Sequence, residues 1–218
     1  MAVSAAVDGD HVLLERWRAG DQRAGEELFQ RHFAEVLRFF DNKAWDKAED
    51  LTQQTFVECV GSRDRFRGDS SFRTYLFGIA WNQLRQHYRR ELKNEHLDFD
   101  VSSINDLVGL MTSPSSKVDR ARRDGQIRQA LRCLPAAQQT LLECHYWQDL
   151  DAAALSEIFG VPPGAIRVRL LRARNALRAE LAKLDGSTDP QGEDADDPLA
   201  ASLSHLQAED QSLDTAER

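Results

Sequence analysis

Residues 149–183 read DLDAAALSEIFGVPPGAIRVRLLRARNALRAELAK, and this stretch predicts the fold of the C-terminal half. The pattern indicates two helices joined by a tight turn. Asp151 is expected to cap the first helix, because its carboxylate can accept hydrogen bonds from the unpaired amides of the first turn. Gly160 is expected to end that helix. The prolines that follow suit a turn and the start of a second helix, where no intrahelical N–H partner is lost.

The second predicted helix has an apolar side. Apolar residues recur along it every three or four positions, which is the spacing of one buried helical stripe. The stripe consists of Ile166, Leu170, Ala173, Leu177, Leu181 and Leu184. We therefore expect this side of the helix to face a core.

The rest of that helix is basic. Between residues 167 and 183 there are six arginines or lysines and one acid, Glu180. The residues that face away from the stripe or flank it are Arg167, Val168, Arg169, Leu171, Arg172, Arg174 and Asn175. Such a helix can lie in a DNA major groove, with outer side chains on base edges and flanking arginines on phosphates. The alternative is a solvated basic helix in a bundle, but a helix, a glycine turn and a basic second helix together favour DNA reading.

Charge is distributed unevenly along the 218 residues. The net charge of −8 is unusual for a DNA-binding protein, but residues 185–218 alone carry ten acids and one base. Because this tail contributes −9, the remaining residues sum to +1, and the acidity is a property of the tail. The tail is expected to be disordered. Leu199, Leu203 and Leu206 form a short apolar stripe within it. A solvating tail without a target is one interpretation; the other is an autoregulatory latch, in which the acids cover the basic helix at 167–183 and the stripe docks on an apolar groove.

Composition argues against several classes of protein. No apolar run approaches the roughly 18 residues of a membrane span, and no signal sequence is visible, so we expect a cytoplasmic protein without membrane insertion. The cysteines, Cys59, Cys133 and Cys144, are far apart and form no CxxC motif. No disulfide framework, metal site or cofactor is therefore expected. No nucleophile–base set or phosphate loop indicates an enzyme.

The rest of the chain is also expected to be helical, with no strand pattern. Helices are predicted at residues 11–19, 21–40, 47–60, 72–90, 118–134 and 136–147. Asp21 is placed to cap the second of these, and Ser70 or Ser71 the fourth. Phe33 is assigned to the apolar side of the second helix. These features predict an all-α protein with two small helical domains, at 10–92 and 118–184, joined by a flexible linker at 93–117 and followed by the acidic tail at 185–218.

The third predicted helix has one apolar and one acidic side. Leu51 and Phe56, with Val57 and Cys59, are assigned to the core. The opposite face carries Glu49, Asp50, Gln53, Gln54 and Glu58. A face of this kind is usually only solvated; a partner-binding surface is the alternative.

The segment from residue 62 to residue 93 combines positive charge with aromatic rings. It holds eight arginines or lysines and three acids, interleaved with six aromatic residues. This combination suits single-stranded nucleic acid, because bases stack on rings while a basic groove follows the phosphates. Most of the rings are needed for the apolar side of the helix, and periodicity leaves Phe66 and Trp81 as candidates for stacking.

Three segments resemble one protein family. They are AEDLTQQTF at 48–56, FRGDSSFRTYLFGIAWNQLRQHYRR at 66–90 and LSEIFGVPPGAIRVRLLRARNALR at 155–178. In this order they are similar to bacterial RNA polymerase sigma factors of the extracytoplasmic-function (ECF) group of the sigma-70 family. The resemblance covers about residues 10–184. It implies that the first domain corresponds to sigma region 2 and the second to sigma region 4, with its helix-turn-helix.

The resemblance implies a role for each segment. The third helix would grip a coiled coil on the largest subunit of core RNA polymerase, through Asp50, Leu51, Gln53, Gln54 and Phe56. The next loop and helix would capture a flipped base of the −10 promoter element, through Arg65, Phe66, Ser70, Ser71, Arg73, Tyr75 and Asn82. The last helix would read the −35 element, through Arg167, Val168, Arg169, Leu171, Arg172 and Arg174. The linker would pass through the polymerase toward its active site.

The chain departs from the family pattern at four positions. Gln54 stands where Glu is frequent, and Tyr75 stands where Trp is commoner. Ala165 and Val168 stand where many members have Thr and Ser. Losing these hydroxyls removes a phosphate contact and leaves Val168 only apolar contacts, for example with a thymine methyl group.

The resemblance implies a promoter-specificity subunit whose partners are core RNA polymerase, promoter DNA and, as is usual in the family, an anti-sigma factor. The free protein would be a monomer. Two other classes fit parts of the sequence. A helix-turn-helix regulator of another kind would explain the C-terminal half but neither the acidic third helix nor the aromatic fourth. A sigma-mimicking adaptor would keep the acidic face but would have no use for Arg167 and Arg172.

Overall fold

The computed structural model describes residues 2–91 and 122–185, with side chains at 9–91 and 126–184. Every regular element in these residues is helical, which confirms the all-α prediction. The chain divides into two compact units, the first formed by the four N-terminal helices and the second by most of the C-terminal ones. The predicted linker at 93–117 and the predicted tail after Asp185 lie outside the described residues.

The first unit contains four α-helices and two short 3-10 turns. The helices are α1 (Ala2–Arg18), α2 (Gln22–Asp41), α3 (Ala48–Ser62) and α4 (Phe72–Glu91), and the turns are Trp45–Lys47 and Arg63–Arg65. α1 begins nine residues before the predicted start at His11. Its first turns are rich in alanine, the strongest helix former, which extends the helix beyond its apolar pattern. α2 packs against α1 and α3, and α4 packs against α3.

The core of this unit lies between the four helices. Its most deeply buried side chains include Leu14, Leu28, Val36, Phe40, Leu76 and Leu84. The prediction was wrong for two residues, because Phe33 is 48% exposed and Val57 is 64% exposed. Phe33 stacks on Phe56, with ring centroids 6.0 Å apart, yet stays half exposed. An apolar stripe covers only part of a helix, so residues at its edge can face solvent although their spacing fits the core.

Two predicted helix caps are present in the first unit. One Asp21 carboxylate oxygen accepts hydrogen bonds from the amides of Arg23 and Ala24, at 3.1 and 3.3 Å. At the start of α4 the Ser71 hydroxyl accepts a hydrogen bond from the amide of Thr74 at 3.1 Å. Of the two serines considered, Ser71 is therefore the capping residue.

Gly25 of α2 lies directly against Trp17 of α1. A Cβ atom at Gly25 would lie 2.6–2.8 Å from indole atoms of Trp17. We expect Gly25→Ala to lower the free energy of unfolding of the first unit by about 1–3 kcal/mol, the usual cost of overpacking.

Gly78 of α4 provides the matched control for Gly25. Apart from the neighbouring residues and backbone of α4 itself, no atom lies within 4 Å of a Cβ at Gly78, so Gly78→Ala should stabilise α4 by about 0.5–1 kcal/mol through helix propensity. Denaturant unfolding of both variants, monitored by amide hydrogen exchange in α2 and α4, checks the pair. A stability change of the same sign in both variants would contradict the steric explanation.

The C-terminal half of the described chain contains a helix-turn-helix. Its helices are α5 (Arg122–Arg132), α6 (Ala136–Tyr146), α7 (Ala152–Phe159) and α8 (Pro163–Asp185). As predicted, Asp151 caps α7, accepting hydrogen bonds from the amides of Ala153 and Ala154 at 3.0 and 2.8 Å. Gly160 follows α7 with a φ of +67°, a conformation in which glycine is favoured and which commonly ends a helix.

α8 packs against α5 and α6. The predicted stripe is buried at Ile166, Leu170, Ala173 and Leu177. Beyond them the prediction was wrong, because Leu181 is only half-buried and Leu184 is 36% exposed. With 23 residues α8 is roughly 35 Å long, about twice the length of the 11-residue helices α5 and α6, so neither of them alone can cover its whole apolar side.

None of the described helices is both long enough and apolar enough to cross a membrane.

Candidate polymerase-binding and DNA-binding surfaces

The predicted polymerase-binding residues of α3 fall into two groups. Asp50, Gln53 and Gln54 are exposed on one side of the helix. Leu51 and Phe56 are buried, at 4% and 8% exposure, and the Phe56 ring lies 4.6 Å from that of Phe29. Only the first group can therefore contact a partner directly. We name these three residues the polymerase face. Leu51 and Phe56 instead pack in the core and fix the position of α3.

Two apolar residues on the exposed side of α3 were missed as surface residues. Val57 and Val60 are 64% and 43% exposed. They follow Gln53 by four and seven positions, so they lie on the same side of the helix as that residue. This spacing was readable in the sequence, but the apolar character of Val57 favoured the core assignment.

The loop before α4 carries several of the predicted −10 residues. We name residues 63–71 the capture loop. Phe66 does not project alone: its ring stacks on Tyr75, with centroids 4.6 Å apart and an interplanar angle of 29°. The Tyr75 hydroxyl hydrogen-bonds the Ser62 hydroxyl, and burial raises the pKa of the Tyr75 phenol. Tyr75 therefore stays protonated at neutral pH and connects the loop to the end of α3.

The remaining predicted −10 residues differ in their solvent exposure. Arg65 and Asn82 are exposed and Ser70 is half-buried. The Ser71 hydroxyl is already used to cap α4, where it accepts a hydrogen bond from the amide of Thr74. Trp81, a candidate for stacking, is 3% exposed and belongs to the buried residues.

Arg73 belongs to a charged cluster that the sequence did not reveal. Its guanidinium donates to Glu35 of α2 at 3.0 Å. The other oxygen of Glu35 lies 3.3 Å from His32 Nδ1, and His32 Nε2 lies 2.7 Å from Asp10 of α1. Arg31 also pairs with Asp10, at 3.3 Å. We name these five residues the His32 cluster. It connects α1, α2 and α4, and it includes Arg73, a predicted DNA contact.

The charge state of the cluster follows from its geometry. Burial disfavours a charged imidazole, but hydrogen bonds and charges from Asp10 and Glu35 outweigh it and raise the pKa of His32. Burial also disfavours the ionised Asp10, yet His32 and Arg31 bring its pKa below the usual value. The cluster therefore favours the protonated imidazole of His32 more than water does.

The predicted −35 residues lie along α8. Arg167, Val168, Leu171 and Arg172 are exposed, with Val168 at 49% and Leu171 at 53%; we name these four the reading face. They lie on the side opposite the buried stripe. Arg169 and Arg174 are half-buried on its flanks. The predicted division of α8 into a buried and an outward side is confirmed, whereas DNA contact by these residues stays a prediction.

The cysteines show no sign of a chemical site. Cys59 and Cys144 are buried, and Cys133 is exposed. Burial raises the pKa of the Cys59 thiol to about 12, so this thiol is unreactive at neutral pH. Within residues 9–91 and 126–184, no group of three or more His, Cys, Asp or Glu residues could hold a metal ion.

Comparison with known families matches both units. The family model for Sigma-70 region 2 matches residues 26–93, and that for Sigma-70, region 4 matches residues 124–177. The polymerase face and the capture loop fall within the first match, and the reading face falls within the second.

Curated relatives cover most of the chain. It is 29% identical over 164 residues to RNA polymerase sigma factor YlaC of Bacillus subtilis, covering 72% of this chain and 92% of that protein. It is 32% identical over 153 residues to RNA polymerase sigma factor HrpL of Pseudomonas syringae pv. syringae, covering 67% and 82%. It is 25% identical over 187 residues to ECF RNA polymerase sigma factor SigW of Bacillus subtilis, covering 78% and 96%.

A solved structure shares the fold. The sigma factor RpoE from Bartonella quintana, solved in complex with the anti-sigma factor NepR, matches with a TM-score of 0.56 and 24% identity over 73% of this chain and 97% of that one. The two family matches and the relatives agree on one assignment. This chain belongs to the sigma-70 family of RNA polymerase sigma factors, in its extracytoplasmic-function group.

Proposed function

We propose that this sigma factor divides promoter recognition between separate surfaces. The polymerase face of α3 binds the coiled coil of the largest polymerase subunit. The capture loop and the exposed side of α4 take up a flipped −10 base and stabilise melted DNA. The reading face of α8 lies in the major groove of the −35 element. The chain acts without catalysing a reaction itself.

The arrangement of α8 is the observation that carries this proposal. Four outward positions between residues 167 and 172 are exposed, two of them arginines, while the opposite stripe is buried at Ile166, Leu170, Ala173 and Leu177 and the helix packs against α5 and α6. A helix held in this way presents its outer side chains to a groove, and flanking arginines reach phosphates. Capturing a −10 base offsets the few kcal/mol that unstacking costs. Tethering both DNA contacts to one polymerase raises their effective concentration.

The domain organisation and the other partners belong to the same proposal. Residues 10–92 would act as region 2, 93–117 as the linker through the polymerase, and 118–184 as region 4. The Bartonella quintana sigma factor is bound to an anti-sigma factor, which supports a partner of that class here. The free protein would be a monomer that works in the cytoplasm, where its polymerase is found.

In-vitro transcription with core RNA polymerase tests the proposal. A sigma factor makes core polymerase initiate at defined start sites on genomic DNA. A helix-turn-helix regulator of another kind would bind duplex DNA without redirecting the polymerase. A sigma-mimicking adaptor would bind the polymerase without creating start sites. Absence of any defined start site would refute the proposed function.

Arg172 is expected to determine one position of the −35 element. If its guanidinium pairs with a guanine, Arg172→Ala should weaken holoenzyme binding by about 1–3 kcal/mol, with the loss concentrated at one base pair. Lys183→Ala is the control, because it removes one positive charge from the same helix, near its C-terminal end, where Lys183 pairs with Glu180 at 2.7 Å. Binding to promoter duplexes substituted at each −35 position provides the measurement. A uniform loss at all positions would assign Arg172 to a phosphate instead.

A further inference from the structure

The capture loop is held at its beginning by a residue of α1. Arg18 is the last residue of that helix. Its Nε and one terminal nitrogen donate to the backbone carbonyl of Arg63, at 3.2 and 2.6 Å. The same terminal nitrogen donates to the carbonyl of Phe66. The guanidinium carbon also lies 5.9 Å from the centroid of the Phe66 ring.

The other terminal nitrogen of Arg18 is used within α1. It pairs with Glu15 one turn earlier, at 2.7 Å, and this ion pair orients the guanidinium toward the loop. The Arg18 side chain is only 22% exposed. It is therefore placed to support protein backbone, whereas the exposed Arg65 and Arg67 of the loop are placed to meet phosphates.

The carbonyls that Arg18 binds belong to the start of the 3-10 turn after α3 and to the residue that follows it, and the Phe66 amide also donates to the Arg63 carbonyl, at 3.4 Å. The last carbonyls of a helix have no intrahelical amide to accept from, and a positive charge near them is favourable. Arg63 and Phe66 lie just after α3, at the two ends of the 3-10 turn that starts the capture loop. A planar guanidinium holds both carbonyls with donors in a fixed fork, whereas the ammonium of a lysine sits on a flexible stem and lacks that fixed geometry.

The loop thus has two different anchors. The Phe66 side chain stacks on Tyr75 of α4, and the backbone on either side of the turn is bound by Arg18 of α1. Gly68 follows with a φ of +80°, a conformation that favours glycine. The ring of Phe66 stacks on Tyr75, and its carbonyl accepts a hydrogen bond from Arg18. Replacing Arg18 is therefore expected to displace the loop that carries Arg65 and Ser70.

We propose that Arg18 is a positioning residue for −10 recognition: it fixes the capture loop in the geometry that accepts the flipped base without touching DNA itself. This inference rests on the proposed function. It predicts that Arg18 affects which −10 bases are selected, and that −35 selection and polymerase binding do not depend on it.

The test uses reconstituted holoenzyme and a duplex DNA pool randomised over the −35 and −10 segments. Bound DNA is sequenced, and the enrichment of each base is calculated at every position for the wild type, Arg18→Gln and Arg18→Lys. Arg16→Gln is the matched control, because Arg16 lies on the same helix and pairs with Asp21. The −35 segment of each molecule serves as an internal control for the amount of active protein.

For Arg18→Gln we expect enrichment at the captured −10 base to fall about tenfold, the factor that corresponds to one lost charge-assisted hydrogen bond. Enrichment at −35 should stay at the wild-type value. Arg18→Lys should lie between the two, and Arg16→Gln should match the wild type. A purely structural defect would reduce the bound fraction without changing the ratio of −10 to −35 selection.

Two results would overturn the inference while leaving the proposed function intact. One is unchanged −10 selection in both Arg18 variants. The other is an equal loss of selection at −10 and −35, which would indicate a general defect. If the wild-type holoenzyme itself enriches no −10 or −35 sequence, the proposed function fails, and the role of Arg18 fails with it.

Discussion

Replacing His32 by glutamine is expected to lower the free energy of unfolding of the first unit by about 3 kcal/mol at pH 6. The His32 side chain is 3% exposed and lies between Asp10 and Glu35, whose side chains are 12% and 14% exposed. Removing one member of a buried charge pair usually costs about 3–5 kcal/mol, because the other member stays buried without compensation. The lower end applies here, since Arg31 and Arg73 continue to pair with the two carboxylates.

The pH dependence of this effect has a definite sign. The pKa of His32 is raised in the folded state, so its contribution is complete below the unfolded value of about 6.5 and is lost as the pH rises through the folded pKa. The pKa of Asp10 is lowered, so its contribution is present above about 3.9 and is lost as the pH falls through the folded value. The cluster should stabilise the unit fully between about pH 4 and pH 6.5.

Hydrogen exchange of the α2 amides in the full-length protein measures this stability without interference from the second unit. His11→Gln is the matched control, because His11 is exposed and adjacent to Asp10. The difference between wild type and His32→Gln should shrink as the pH rises above about 7, whereas His11→Gln should match the wild type throughout. A difference that stayed constant with pH would mean that His32 acts through packing and not through charge.

Local features of this fold could be predicted from the sequence. The caps at Asp21 and Asp151 and the stop at Gly160 depend on a few neighbouring residues. The outward side of α8 follows from helical periodicity, which also identified the reading face. Each of these signals is complete within one or two turns of helix, so no knowledge of the tertiary arrangement is needed.

Contacts between distant parts of the chain could not be predicted in this way. Asp10 and His32 are 22 residues apart, and Arg18 and Phe66 are 48 residues apart. In the sequence His32 is one polar residue on a helix, and Arg18 is one of many arginines. Only the packing of α1 against α2 and α4 gives them partners. Phe33 shows the same limit, because periodicity cannot tell the centre of an apolar stripe from its edge.

Reversing the charge of Asp50 is expected to abolish most of the affinity for core RNA polymerase. Asp50 is exposed on the polymerase face with Gln53 and Gln54. Glu49 and Glu58 are also exposed on α3, but Asp50 is the acid among the three residues of the polymerase face, where the resemblance implies a frequent Glu at the position of Gln54. Losing one partner of an interfacial charge pair costs about 2–5 kcal/mol, and an arginine adds repulsion from a basic partner surface. We therefore expect Asp50→Arg to weaken core binding by at least about 30-fold, the equivalent of 2 kcal/mol.

The control for Asp50→Arg is Glu26→Arg, which makes the same charge change at an exposed position of α2. Core binding is measured by competition for labelled core enzyme, and −35 duplex binding by the full-length protein is measured in parallel. Asp50→Arg should leave duplex binding unchanged, because the reading face lies on α8. Arg172→Ala should show the converse, with normal core affinity and impaired duplex binding. Equal effects of Asp50→Arg and Arg172→Ala on core affinity would refute the division between polymerase binding in the first unit and promoter reading in the second, because each variant would then act through a shared surface.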